Sequence, residues 1–370
     1  MSVPRAYAFR MDLPREPGIV ETDLPDLTTA PQRAAGTLSL DALHIAPPKS
    51  LWTPLAKAVP GMLVTGALPP ENRARFLLRV PRDWNGRLVV AAASGITDES
   101  TYDLYFSDYL LSKGYAFAAT DKGVRRALLD ADTIVMPMTP ESSVRRWAGR
   151  LETLVETCRE IILRRHGASP EKVYAVGLSN GGFVARRAAE LGFVDGAVEI
   201  SGVLWRADKG NLLRELPALV RSGVPGVEAK WKPLCDLYKL IYWESSLGLF
   251  VSDLDPSYTG ALADYDLDAR PAALAAIREF ENTGDLKAPL ISIAGRRDYL
   301  IPCASHAEAY RDLVRSRGKA DLHRLVIEAD AAHVDTNAEM FPFVTPLMPR
   351  AHAAFDELVA WVETVPAVRA

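Results

Sequence analysis

The sequence predicts an α/β fold in which a largely parallel sheet is covered on both faces by helices. Three observations carry this. Short apolar or β-branched runs alternate with stretches of helical period, as strand-helix-strand units require. Some of these runs, such as Val173 to Val176, show no polar alternation, as expected of strands buried on both faces. That run leads to a serine among small residues, Gly177-Leu178-Ser179-Asn180-Gly181-Gly182, and helical spacing follows from Phe183 to Leu191, stopping at Gly192.

The elements follow in order. Residues 1 to 60 are rich in proline and acidic residues, with short apolar runs such as Leu38 to Leu43, and read as an arm wrapped over a domain. From Gly61 onward, Met62 to Thr65, Phe76 to Val80 and Leu88 to Ala93 read as strands. Asp83-Trp84-Asn85-Gly86 separates the last two, and its Asn-Gly pair predicts a tight turn joining them as a hairpin. After the turn Ser94-Gly95-Ile96, apolar residues recur at Tyr102, Tyr105, Phe106, Tyr109 and Leu110, a helix closed by Gly114. Tyr115 to Thr120 is the next strand, ending at Asp121-Lys122-Gly123. Thr139 and Pro140 read as the N-cap and first turn of a long helix with the stripe Val144, Trp147, Leu151, Leu154, Cys158 and Ile161, ending at Gly167.

Beyond the serine, Ala197 to Ile200 and Pro289 to Ala294 read as strands separated by too much chain for a simple connection. That gap holds Trp205, Trp231, Tyr238, Tyr242, Trp243 and Phe250, so residues 204–285 are expected to form a helical insertion whose last helix is Arg270 to Phe280. A helix near Ala304 to Arg317, a strand Arg324 to Ile327 and a helix near Ala351 to Val362 complete the chain. The expected organisation is an arm (1–60), a core (61–203 and 286–370) and an inserted cap (204–285).

Bulk properties narrow the function. A chain of 370 residues can bury a sizeable core. Its 48% hydrophobic and 24% charged residues, with mean hydropathy near zero, describe a globular chain. A formal charge of −4 and a pI near 5.9 leave no basic field for nucleic acid or an anionic membrane, and neither is expected as a partner. No stretch approaches the ~20 apolar residues of a membrane span, and Met1 to Arg15 contain no apolar h-region, so a cytoplasmic protein is expected. A secreted protein shorn of its signal would read the same way. Cys158, Cys235 and Cys303 are far apart and odd in number, which argues against a disulfide framework. Neither H-E-x-x-H nor a P-loop occurs, and no metal or cofactor is expected. Oligomeric state is not legible.

The chemistry centres on Ser179. A G-x-S-x-G pattern between a strand and a helix is a nucleophile elbow, a strained turn that pushes the serine Oγ over the carboxyl edge of the sheet. Side chains at 177 and 181 would crowd the neighbouring strand and the incoming helix. A serine hydroxyl needs an adjacent base, itself oriented by a carboxylate. Among six histidines, His333 follows the strand Arg324 to Ile327 in a small-residue loop at the carboxyl edge, where open α/β sheets bind substrates; His306 is the reserve. Asp298 follows Pro289 to Ala294 at the same edge and is the expected acid, with Asp330 and Asp335 as alternatives. A developing oxyanion needs two backbone donors: the N–H of Asn180, after the nucleophile, and that of Ile96, where Gly95 lets the backbone approach.

With Ser179, Asp298 and His333 in that chain order, the sequence resembles the α/β-hydrolases over roughly residues 62–202 and 286–365. More narrowly, Trp84-Asn85-Gly86, Gly114-Tyr115-Ala116, Thr120-Asp121-Lys122-Gly123 and Ser179-Asn180-Gly181-Gly182 resemble tannase and feruloyl-esterase-like hydrolases. The Ser-Asn-Gly-Gly run also resembles hydroxybutyrate oligomer hydrolases. Tannase-type enzymes place cysteines just before the nucleophile and just before the histidine, where this chain has Leu178 and Ala332. The resemblance implies a cofactor-free serine esterase acting through an acyl-enzyme on small or oligomeric esters with hydrophobic, aromatic or hydroxyacyl groups. Trp205, the first aromatic residue after Ala197 to Ile200, is the expected acyl contact. A peptidase or amidase using the same residues, and a catalytically silent binding protein, are the rival readings.

Overall fold

The computed structural model describes residues 18–69, 74–124, 138 and 140–364. Its described strands are β1 (Val20–Leu24), β2 (Gly61–Ala67), β3 (Arg75–Pro81), β4 (Arg87–Ala92), β5 (Ala116–Thr120), β6 (Lys172–Leu178), β7 (Gly196–Ile200), β8 (Leu290–Gly295) and β9 (His323–Glu328). They form one sheet in the order β1-β2-β3-β5-β4-β6-β7-β8-β9. The pairs β1/β2, β2/β3 and β3/β5 are antiparallel, and every pair from β5/β4 to β8/β9 is parallel. The expected strands are all present. The arm contributes β1, which adds an antiparallel edge to the sheet, and two short helices, α1 (Ala30–Ala35) and α2 (Leu40–His44).

One strand pairing differs from expectation. β3 and β4 do not form a hairpin, because β5 lies between them. Asn85, instead of closing a two-residue turn, donates its backbone N–H to Gly114 O (2.9 Å) and its side-chain amide to Lys113 O (3.0 Å). Those bonds fasten the β3–β4 turn to the entrance of β5, so the chain steps across one strand position.

β4 has both sheet neighbours later in sequence, β5 on one side and β6 on the other. The crossover from β4 to β5 runs through a π-helical turn Asp103–Ser107 and α3 (Asp108–Leu111); that from β5 to β6 contains α4 (Trp147–His166). These cover opposite faces. Leu88, Val90 and Ala92 share a core with Trp147, Leu151 and Leu154 of α4, whereas Val89 and Ala91 share one with Tyr102, Tyr105 and Phe106. Strand alternation therefore assigns each residue of β4 to one layer. The reversal of direction at β4 opens a crevice at the carboxyl ends of β4 and β6, the general binding position in open α/β sheets.

Helix α4 begins later than expected. Thr139 lies outside the described residues, and Pro140 sits in a turn; a 3-10 turn Val144–Arg146, with Ser143 Oγ accepting the Arg145 N–H, leads into α4 at Trp147. Its end is as expected, with Gly167 left-handed at φ 74° and its N–H bonded to Leu163 O. α5 (Asn180–Leu191) follows β6 and ends at Gly192.

Between β7 and β8 the chain forms α6 (Leu212–Ser222), α7 (Lys232–Tyr238), a π-helical turn Lys239–Trp243, α8 (Glu244–Leu254) and α9 (Pro271–Arg278). α10 (Ala309–Ser316), α11 (Asn337–Met340) and α12 (Met348–Thr364) complete the described helices. None is long and apolar enough to cross a membrane. Cys158, Cys235 and Cys303 are buried and unpaired.

Candidate active site

Ser179 sits where β6 turns into α5, with φ 60° and ψ −120°, a backbone conformation that non-glycine residues rarely adopt. Three glycines make this turn possible. A Cβ at 177 would lie 2.2 Å from Gly181 O in the incoming helix; one at 181 would lie 2.1 Å from Ala92 O on β4; one at 182 would lie 2.9 Å from Gly202 Cα. The turn is also braced by Tyr102, whose hydroxyl donates to Ala92 O (3.1 Å) and accepts the Leu178 N–H (2.8 Å). Asn180 opens α5, so its N–H has no intrahelical partner.

Asp298 and His333 meet at the same sheet edge. Asp298 Oδ2 is 2.7 Å from His333 Nδ1, and Asp298 Oδ1 accepts the N–H groups of Leu300 (2.9 Å) and Ile301 (2.8 Å). Both residues are buried. The carboxylate accepts from the ring, which places the proton on Nδ1 and leaves Nε2 as the acceptor of a neutral imidazole. Gly295 permits this approach of the two loops, since a Cβ there would lie 2.4 Å from Ala331 O.

Ser179 and His333 line one cavity of about 330 Å³, together with Gly95, Ile96 and Asn180. The walls are mainly apolar, with Leu212, Ile241, Tyr242, Leu249, Phe250 and Ile301 among them, and among the described residues lining the cavity there is no Asp, Glu, Lys or Arg. Two residues that line it, Ser94 and Asn180, carry buried side-chain oxygens, Oγ and Oδ1, with no hydrogen-bond partner among the described residues. Such groups are costly to leave bare.

The structure therefore gathers Ser179, His333, Asn180, Ile96 and Gly95 around one cavity, with Asp298 behind the histidine. Trp205 is not among them. Its ring is fully buried, packed edge-on against Phe250 (4.8 Å between centroids) and Phe280 (5.5 Å), and it is Phe250 that faces the cavity. The first aromatic after β7 supports the wall from behind, through its contact with Phe250 of α8. His306 is also fully buried: its Nδ1 accepts the Leu204 N–H at 2.9 Å, and its Nε2 lies 3.3 Å from Glu215 Oε2. Asp335 spends both oxygens on the N–H groups of Leu347 and Met348 (2.7 Å each), and Asp330 is exposed, so neither orients the His333 ring.

Several contributors escape sequence reading. Tyr238 on α7 accepts the backbone N–H of His333 (3.0 Å) and the side-chain amide of Asn337 (2.6 Å). Trp243 donates from its indole to Tyr299 O (2.7 Å), beside Asp298. The arm also reaches the site. Asp41 Oδ2 accepts the Asp98 N–H (2.9 Å) beyond Ile96, His44 O accepts from Thr336 Oγ1 (2.8 Å) beyond His333, and His44 itself lines the cavity. No local signal in 39–46 announces this; the contacts join residues far apart in the chain.

The sheet order, the strained serine turn and the acid-histidine pair on successive loops define an α/β-hydrolase fold. Solved structures resemble the chain at this level. Feruloyl esterase B from Aspergillus oryzae aligns with a TM-score of 0.55 at 12% identity, covering 87% of this chain and 81% of that one. The rice cell wall degrading esterase LipA from Xanthomonas oryzae aligns with a TM-score of 0.52 at 14% identity, covering 93% and 98%. Acylaminoacyl peptidase from Pyrococcus horikoshii aligns with a TM-score of 0.50 at 12% identity over 83% of this chain but 42% of its own length. The sequence matches no protein-family model and no curated protein sequence. At these identities the likeness establishes the fold.

Proposed function

We propose that the protein is a serine hydrolase that cleaves carboxylic esters through an acyl-enzyme. The observation that carries the reading is the 2.7 Å bond between buried Asp298 and His333, in a histidine that lines the same cavity as Ser179 on its strained turn. In the proposed reaction His333 Nε2 takes the Ser179 proton as Oγ attacks the ester carbonyl, while Asp298 holds the ring and stabilises the imidazolium. The N–H groups of Ile96 and Asn180 receive the oxyanion. Collapse expels the alcohol with the proton from His333, and water then repeats the sequence to release the acid. The insertion between β7 and β8 acts as a cap, supplying Leu212, Ile241, Tyr242 and Phe250 to the acyl wall. An uncharged acyl group suits the apolar side chains that the described residues supply to the wall, and a small or oligomeric ester is the proposed substrate.

A hydrolysis screen over p-nitrophenyl acyl chains, aromatic acid esters and hydroxyacid oligomers tests the reading, with Ser179→Ala as the control. Turnover of at least one ester class that vanishes in the variant is expected; no turnover of any would sink it. The likeness to an acylaminoacyl peptidase favours amide cleavage as the second reading, since both reactions share a tetrahedral intermediate. Matched ester and amide substrates separate the two.

A further inference from the structure

We propose that Lys122 is a positioning residue, whose amine holds the carbonyl of Gly95 and so points the N–H of Ile96 into the active-site cavity. This rests on the esterase reading above.

Lys122 is fully buried and lies in the Thr120-Asp121-Lys122-Gly123 segment at the end of β5. Its Nζ reaches back beneath the neighbouring β4 loop, donating to Ala93 O and, at 3.3 Å, to Gly95 O. The indole of Trp147 lies 5.1 Å from the same nitrogen. Burial pulls the amine down to about 7, as expected of a cation withdrawn from water, with Asp121 the one charged neighbour among the described residues that raises it. Lys122 also has φ 63°, a left-handed backbone that is uncommon outside glycine. A buried lysine on a strained backbone is a poor choice for filling space, since an apolar side chain would cost far less there.

The geometry of one peptide unit supplies the role. A trans peptide is planar, and its C=O and N–H point in opposite directions. The unit joining Gly95 to Ile96 has its C=O bonded to Lys122 underneath, so the N–H at the other end of the plane, that of Ile96, faces away from the lysine. Ile96 and Gly95 both line the cavity, and the Ile96 N–H has no backbone hydrogen-bond partner among the described residues. Gly95 itself is at φ 48°, and as a glycine it has the backbone freedom that would let this unit turn over. Turned over, it would offer a carbonyl oxygen to the developing oxyanion in place of a donor. The second bond, to Ala93 O, fastens the lysine to the end of β4 so that its own position is fixed.

The test compares wild type, Lys122→Met and Lys122→Gln for turnover of a good ester and for binding two inhibitors with the same acyl group. One is a trifluoromethyl ketone, which forms an oxyanion on Ser179; the other is the matching secondary alcohol, which forms none. Lys122→Met is expected to lower kcat by about 10²-fold, the loss typical of one oxyanion donor, with KM within about threefold. Ketone affinity should fall by a similar factor, and alcohol affinity should hold. Lys122→Gln, with one amide for two carbonyls, should fall between. Unchanged ketone affinity in folded variants, equal losses for ketone and alcohol, or failure of both variants to fold would each overturn the positioning role. Full turnover by Ser179→Ala would instead sink the esterase reading itself.

Discussion

The hydroxyl of Tyr238, on helix α7 of the insertion, accepts the backbone N–H of His333 at 3.0 Å. A residue far from the sheet in sequence thus fixes the loop that carries the proposed base. Because Tyr238 also takes the Asn337 amide, Tyr238→Phe leaves two buried donors bare, at about 1–3 kcal/mol each. We expect a lower melting temperature and a fall in kcat larger than any change in KM. A variant with wild-type kcat would show that the histidine loop holds its place without the insertion.

Phe250 in the cavity wall and Trp205 behind it should behave differently. Phe250 faces the cavity, so Phe250→Ala should reorder acyl groups by kcat/KM, by about 1–3 kcal/mol between the best and worst affected. Trp205 lies behind it, and Trp205→Ala should cost about 3–5 kcal/mol of stability while leaving the order of acyl groups unchanged. Kinetics on an acyl series and urea melts of both variants check this; a reordering by Trp205→Ala alone would contradict it.

The stability that Asp335 and Glu99 contribute should fall as pH rises from about 4 to about 7, against an opposite contribution from His323 and His352, whose imidazoles burial pulls down to about 3 and about 4. Burial raises the carboxyls of Asp335 and Glu99 to about 7, outweighing the two backbone N–H bonds to Asp335 and the Arg75 guanidinium beside Glu99. The folded chain then keeps protons that the unfolded chain releases near its ordinary carboxyl pKa of about 4. Their contribution is fully present below that value and lost as pH passes 7. Measured against Asp335→Asn and Glu99→Gln, whose amides do not titrate, the wild-type urea midpoint should drop between pH 5 and pH 7, and a difference that stays constant over that interval would contradict the assignment.

What was legible in the sequence follows the range of the forces involved. Strand runs and helical stripes depend on near neighbours, so β6, α5 and the serine turn are visible in Val173 to Leu191 alone. Asp298 and His333 could be picked out because each follows a strand at the same sheet edge, a matter of topology. The Asn85-Gly86 turn misled because the choice of sheet partner is made by β5, which enters the chain only later. Tyr102, Tyr238, Trp243, His44 and Lys122 carry no local mark of their role. Each acts on a loop from a different part of the chain, and only the folded structure brings the two together.

Covalent chemistry at Ser179 tests the central claim most directly. A fluorophosphonate probe should label the folded protein once, at Ser179, and abolish ester turnover in proportion to labelling; His333→Ala and Asp298→Asn should slow both by orders of magnitude, and combining them should add little. Labelling elsewhere, or near-normal ester turnover by Ser179→Ala, would contradict the account.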